Sequence, residues 1–164
     1  MEIGHALAWL QSTAIARTIA ENEILFPWIE SIHVLAVVLV VGTILVVDLR
    51  LLCIASVRRP VSQVLHDVLP LTWGAFALAA LSGALLFSSN ATTYAGNFFF
   101  RGKLVLLCLA GLNMAGFHLL GSRGIAQWER SSRTPAASKL AGAVSLAIWI
   151  SVVVFGRWTG FTLH

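Results

Sequence analysis

Four long apolar runs, separated by short polar stretches, dominate the pattern of hydrophobic and polar positions along this chain. They lie at about residues 28–52, 68–88, 103–120 and 140–155. Each run approaches the roughly 20 apolar residues that an α-helix needs to cross a bilayer. A segment in hydrocarbon must satisfy its own backbone polar groups, so these runs predict helices. The pattern therefore predicts an all-α, integral membrane four-helix bundle with antiparallel neighbours.

The first 23 residues have a weaker, periodic pattern. Apolar residues recur there at helical spacing: Ile3, Leu7, Leu10, Ala14 and Ile15. This spacing predicts an amphipathic helix over residues 1–23 that lies in the membrane interface, and a frayed polar tail is the alternative. Residues 24–164 would then form a single four-span domain.

Composition supports the membrane assignment. Hydrophobic residues make up 58% of the 164 residues and charged residues only 11%, which is more apolar surface than a soluble domain of this length can bury. The formal net charge is +4, but the basic residues form no stripe interleaved with aromatic residues. Nucleic-acid binding is therefore not expected.

The basic residues are divided unevenly between the two ends of the spans. The loops after spans one and three contain Arg50, Arg58, Arg59, Arg123, Arg130, Arg133 and Lys139. The opposite end contains Arg17, Arg101, Lys103 and Arg157. Since the end richer in Lys and Arg normally stays in the cytoplasm, we expect both termini on the periplasmic side of a bacterial inner membrane.

One ionisable ring, His33, falls inside the first run, where its burial is unfavourable without a compensating partner. Glu30 precedes it by three residues on the same helix face, so its carboxylate can orient the ring. Three roles are open for the imidazole: a buried neutral ring bonded to Glu30 or to a backbone carbonyl, a haem-iron ligand, and a proton relay or other metal ligand. At the end of the same run, Asp48 and Arg50 are expected to neutralise each other locally.

Three basic side chains fall at the same predicted depth as His33. Lys103 can ligate a cofactor or extend to the lipid head groups. Arg101 and Arg157 can pair with haem propionates or with lipid phosphate. On span three, helical geometry places Lys103, Ala110, Met114 and Phe117 on one face, which we expect to be the interior.

A second cluster is possible at the other end of the bundle. His66 opens span two and His118 closes span three, and two histidines on facing helices at matched depth suit a bis-histidine haem. Solvation at the helix end is the alternative for His66. The two cysteines, Cys53 and Cys108, lie at different depths, so we expect no disulfide between them.

Three segments carry a resemblance to known families: PWIESIHVLAVVLVVGTILVVDLRLL (Pro27–Leu52), FFRGKLVLLCLAGLNMAGFH (Phe99–His118) and FGRWTGF (Phe155–Phe161). Together they resemble a bacterial family of small four-span membrane proteins with no assigned function. That resemblance covers nearly the whole chain.

A more distant resemblance concerns haem-binding proteins. The histidine of span one, the glycine and Arg-Leu pair that follow it, and the Lys-Leu start of span three are similar to the bacterial membrane protoporphyrinogen oxidase and to the copper-resistance D-type membrane proteins. The oxidase resemblance implies a bound haem and essential roles for His33 and Lys103. The chain departs from the oxidase because it lacks the aromatic residues that follow the histidine there.

These observations lead us to expect a bundle that holds haem b for electron transfer or quinone-linked redox chemistry. His33 would be an axial ligand oriented by Glu30, and the second ligand would be Lys103 or a histidine such as His118. A quinone or a redox protein is the expected partner, and the small residues of spans two and four would allow a homo-oligomer or a larger complex. The alternative is a cofactor-free accessory or assembly subunit, or a small-ion transporter.

Overall fold

The computed structural model of the protein describes residues 2–56, 58–121 and 134–162, and within them it contains helices and no strand. The helices are α1 (Glu2–Gln11), α2 (Ala14–Glu21), α3 (Leu25–Leu51), α4 (Val61–Ser89), α5 (Ala91–Gly96), α6 (Phe98–Gly116) and α7 (Ala136–Phe161), and a π-helical turn over Phe117–Gly121 follows α6. Four of them, α3, α4, α6 with its extension to Leu119, and α7, are long and apolar enough to cross a membrane. The prediction of an all-α bundle with four spans is confirmed.

The spanning helices extend beyond most of the predicted limits. α4 begins at Val61, well before the predicted start at residue 68, and α7 covers residues 136–161 where 140–155 was predicted. A helix does not end where its apolar run ends, because its backbone hydrogen bonds continue to form in the head-group region. The predicted topology also rests on Arg123, Arg130 and Arg133, which lie outside the described residues.

The N-terminal segment forms two helices, so the prediction of one continuous helix was wrong. The chain breaks at Thr13, whose hydroxyl oxygen accepts a hydrogen bond from the backbone N–H of Ala16 at 3.4 Å and so caps α2. Ala16 and Ile19 are buried, and α2 packs against α4. The segment is therefore attached to the bundle by tertiary contacts.

The four spanning helices leave one side of the bundle open. α3 packs against both α4 and α7, and α6 packs against α7, whereas α4 and α6 have little direct contact in the described part of the chain. At one end three aromatic rings bridge these helices, since Phe87 of α4 and Tyr94 of α5 each lie 5.3 Å from Phe100 of α6, centroid to centroid. α4 and α6 therefore face each other across a space that direct packing does not fill in the described part of the chain.

Glycine allows two of the helix pairs to approach closely. A Cβ atom at Gly102 of α6 would lie 2.4 Å from Cε1 of Phe155, and one at Gly142 of α7 would lie 3.3 Å from the backbone oxygen of Asp48. A Cβ at Gly74, by contrast, would have no atom within 4 Å. The close approach of α3 and α7 is therefore at Gly142, whereas Gly74 faces no other described part of the chain.

Asn97 connects the start of α6 to the end of α7. Its Oδ1 accepts a hydrogen bond from the backbone N–H of Phe100 at 3.0 Å, which caps α6, and its Nδ2 donates to Oγ1 of Thr162 at 2.8 Å. We expect Asn97→Ala to lower the free energy of unfolding by about 1 kcal/mol, the usual value for a lost N-cap. Denaturant unfolding in detergent, followed by tryptophan fluorescence, measures this loss.

Thr162→Val is the matched control for Asn97→Ala. It removes the hydroxyl that Asn97 contacts in α7 but keeps the cap of α6. We expect it to have a smaller effect than Asn97→Ala. Equal stability of Asn97→Ala and the wild-type protein would contradict the capping role.

Candidate functional site

Two cavities lie in the interior of the bundle, one toward each end. The first, of about 460 Å³, is lined by His33 and Lys103 and is called here the His33 cavity. The second, of about 280 Å³, is lined by Asp48 and His118 and is called here the Asp48 cavity. Four apolar side chains line both cavities and form the layer between them: Val40, Phe76, Leu107 and Trp149.

The His33 ring is oriented by α4. Its Nδ1 lies 2.9 Å from the backbone oxygen of Ala79 and 3.1 Å from Oγ of Ser82. Because a carbonyl oxygen only accepts, Nδ1 carries the hydrogen, and in the neutral ring the lone pair is then on Nε2. No described residue forms a hydrogen bond with Nε2. A histidine that donates from one nitrogen to a backbone carbonyl and leaves the other bare has the arrangement of a metal ligand.

The prediction that Glu30 orients this ring was wrong. Glu30 is exposed, and both partners of Nδ1 belong to α4. The charge of Glu30 acts instead on Tyr94, where burial, together with this charge, raises the pKa of the phenol above its ordinary value. Tyr94 therefore stays protonated at neutral pH and can donate a hydrogen bond into the His33 cavity, which it lines.

The absence of a side chain at Gly83 leaves room for the ring of His33. A Cβ atom at this position would lie 2.9 Å from Cε1 of the ring, a distance that real Cβ contacts do not reach. Small residues also form much of the rest of the wall, as expected where a flat ligand approaches a helix closely. They are Ala79, Ala80, Ala84, Gly156 and Gly160.

Lys103 of α6 brings a second nitrogen to the same cavity. Its side chain lies along Gly156 of α7, where a Cβ atom would be 4.0 Å from Nζ. No carboxylate in the described residues forms an ion pair with this ammonium, since the single ion pair there joins His66 and Asp67. The structure therefore brings His33 and Lys103 together in one cavity, as the sequence predicted for their depth.

The two arginines predicted at this level do not line the His33 cavity. Arg101 is exposed. The guanidinium carbon of Arg157 lies 4.5 Å from the centroid of the Phe161 ring, in a cation–π contact. The geometry thus gives no support to either arginine as a propionate anchor.

The predicted pair of His66 and His118 does not form a site either. The side chain of His66 is 90% exposed and interacts with its neighbour Asp67. His118 lines the Asp48 cavity, and its Nδ1 lies 3.2 Å from the backbone oxygen of Met114. His118 is therefore separated from His33 by the apolar layer between the cavities, which excludes it as a second ligand to an iron at His33.

The residues of the predicted interior face of span three line the two cavities, although Met114 is 41% exposed. Lys103 lines the first cavity, whereas Ala110, Met114 and Phe117 line the second.

The predicted pairing of Asp48 with Arg50 was wrong, because Nε of Arg50 donates to the backbone oxygen of Arg59 at 2.7 Å. Residues two apart on a helix point in different directions, so the side chains of Asp48 and Arg50 do not meet.

The contribution of α4 to the site was not predicted from the sequence. Ser82 and the carbonyl of Ala79 hold the ring of His33, although they are more than 40 positions away in the chain. The sequence feature that indicates this contact is the Ser82-Gly83 pair in the middle of an apolar run. A small polar residue beside a glycine there is typical of a helix face that contacts another helix.

Comparison with known families gives one match. The model of a family of unknown function, DUF6644, matches residues 9–162. The chain belongs to this family. No curated protein matches the chain, and neither does any solved structure. Membership of DUF6644 agrees with the resemblance to a small four-span family without an assigned function, and it carries no information on a cofactor.

Proposed function

We propose that this multi-pass membrane protein is a b-type haem protein for electron transfer. The observation that supports the proposal most strongly is that Nε2 of His33 has no hydrogen-bond partner among the described residues, while Nδ1 is engaged by the carbonyl of Ala79 and the ring lines a cavity. A bound haem would supply a one-electron carrier whose potential the surrounding protein adjusts.

The His33 cavity has the size and lining for such a group. Its volume of about 460 Å³ lies within the range of roughly 300–1,000 Å³ that is typical of cofactor and ligand sites. Its walls are small residues and aromatic rings, which suit a flat apolar ligand.

The chain's own residues would hold this ligand in distinct ways. His33 would ligate the iron through Nε2, with Ala79 and Ser82 keeping the ring in place. Lys103 is the other nitrogen donor in the cavity, and we assign it as the second ligand in preference to His118.

Partners and location follow from the same proposal. A membrane quinone or a redox protein would exchange electrons with the haem, and a bacterial inner membrane with both termini periplasmic fits the distribution of basic residues. One end of the bundle contains the described N-terminal helices, the connection from α4 to α6 and the end of α7. At this end Gln11 contacts Asn90, and Asn97 contacts Thr162. One location for both termini is thus consistent with the fold.

An absorbance spectrum tests the proposal. The protein is produced in cells supplied with a haem precursor, purified in mild detergent, and measured before and after reduction with dithionite. We expect a Soret band that shifts on reduction and a pyridine haemochrome spectrum of haem b. Absence of these bands, also after incubation of the purified protein with hemin, would favour a cofactor-free accessory subunit instead.

A further inference from the structure

The second cavity contains a buried carboxyl group that the haem proposal does not use. Asp48 is only 4% exposed. The hydroxyl of Ser145 interacts with its carboxyl group, but Oδ2 has no hydrogen-bond partner among the described residues. Arg50 is committed to the backbone of Arg59, and no ion pair to Asp48 forms in the described part of the chain. A carboxylate in this environment is unfavourable without a donor or a cation beside it.

The rest of the Asp48 cavity is apolar and aromatic. Its walls include Trp73, Phe76, Phe117 and Trp149, and the rings of Trp73 and Phe76 meet edge to face with centroids 6.1 Å apart. Aromatic faces attract cations through their quadrupoles, most strongly where water is excluded. A carboxylate among aromatic rings is the combination that recognises an organic ammonium ion.

The other polar groups near Asp48 carry no full positive charge from lysine or arginine. The hydroxyl of Thr72 donates its hydrogen to the backbone oxygen of Val68 at 2.9 Å, which leaves lone pairs. Nδ2 of Asn113 donates to the backbone oxygen of Ala141 at 3.0 Å. Among the described residues no lysine or arginine lines this cavity, although the imidazole of His118 does. Asp48 is therefore the carboxylate that the described lining offers to a ligand of positive charge.

From this arrangement we propose that the Asp48 cavity binds a small organic cation of the substituted-ammonium class. The carboxylate of Asp48 pairs with the cationic head, and the aromatic rings of Trp73 and Phe76 contact the same head through cation–π interactions. A volume of about 280 Å³ admits a molecule built on one aromatic ring. A hydrated metal ion fits less well, because calcium and magnesium need six or more oxygen ligands and the cavity has one carboxylate.

The site is independent of the proposed haem. The layer of Val40, Phe76, Leu107 and Trp149 separates it from His33, and neither Asp48 nor Trp73 lines the His33 cavity. Loss of cation binding would therefore leave a Soret band unaffected. Absence of haem would likewise leave cation binding intact.

Titration calorimetry with phenyltrimethylammonium tests the proposal, with the protein in nanodiscs of zwitterionic lipid so that the membrane itself does not attract the cation. We expect saturable binding to the wild-type protein and at least about tenfold weaker binding to Asp48→Asn, which removes the charge but keeps the shape. Asp67→Asn is the control, because Asp67 is an exposed carboxylate on α4, and it should bind like the wild type.

A second variant covers the case in which Asp48→Asn folds poorly. Trp73 is 51% exposed, so Trp73→Leu should retain the fold, and we expect severalfold weaker binding through loss of the cation–π contact. The uncharged isostere tert-butylbenzene should not displace the cation. Absence of binding to the wild type, equal binding by Asp48→Asn and Asp67→Asn, or displacement by the isostere would each overturn the proposal.

Discussion

Replacing His33 with alanine should remove the bound haem. Among the described residues, this ring is the only imidazole in the His33 cavity, with Nδ1 bonded to Ala79 and Nε2 without a hydrogen-bond partner. Because the ligand itself is deleted, we expect the haem content per protein to fall by at least the roughly 10- to 100-fold loss that is usual for a residue that only supports a ligand. The ratio of Soret absorbance to protein absorbance measures this loss.

His66→Ala is the control for His33→Ala. It removes a histidine whose side chain is 90% exposed, and it should leave the spectrum unchanged. Addition of imidazole to His33→Ala should restore part of the band, because the deleted side chain leaves room for a free ring. An unaltered spectrum of His33→Ala would remove His33 as the ligand, whereas retention of the band only in His66→Ala would support it.

Replacing Gly102 with alanine should give the largest loss of stability among single-methyl additions to this bundle. A Cβ atom there would lie 2.4 Å from Cε1 and 2.7 Å from Cδ1 of Phe155. The ring of Phe155 is also in contact with Phe99, at 5.6 Å between centroids, and with Phe98, at 6.3 Å. It therefore has little freedom to move aside, and α6 must separate from α7.

We expect Gly102→Ala to lower the free energy of unfolding by about 1–3 kcal/mol, the usual effect of overpacking. Its apparent melting temperature in detergent should fall by roughly 2–4 °C for each kcal/mol. Gly111→Ala is the matched control, since it adds the same methyl group to the same helix where no atom lies within 4 Å. A melting temperature for Gly102→Ala equal to that of Gly111→Ala would show that α6 and α7 are not packed as described.

The same substitution should disturb the His33 cavity. Gly102 precedes Lys103, whose ammonium lies along Gly156 of α7. A shift of α6 away from α7 would move this ammonium relative to His33. The two largest effects predicted here are thus connected through the packing of α6 on α7.

The sequence pattern predicted correctly those features that depend on a single residue or on a single apolar run. The burial of an ionisable ring at His33 could be predicted from its place in an apolar run. The matched depth of Lys103 followed from counting residues along spans one and three, which run in the same direction. The identity of the residues that hold the ring could not be predicted, because Ala79 and Ser82 belong to another helix.

Errors in the sequence-based predictions arose where a neighbour in sequence was taken as a neighbour in space. Glu30 shares a helix face with His33, yet the ring turns to α4, where the backbone oxygen of Ala79 has a lone pair that accepts the Nδ1 hydrogen. Arg50 is two residues from Asp48, yet it donates to Arg59. In both cases the side chain bonds to a residue outside its own helix and not to its neighbour on that helix.

The amino-acid sequence alone determined the class of protein, the number of spans and the presence of an imidazole within the bilayer, because hydrocarbon imposes length and hydrophobicity on each run separately. Only the tertiary structure decided that His33 and Lys103 share a cavity, that Asp48 has no ion-pair partner among the described residues, and that α4 and α6 have little direct contact there. Apolar residues on all sides of a spanning helix do not indicate which face meets which neighbour. Close contacts at Gly83, Gly102 and Gly142 make that choice.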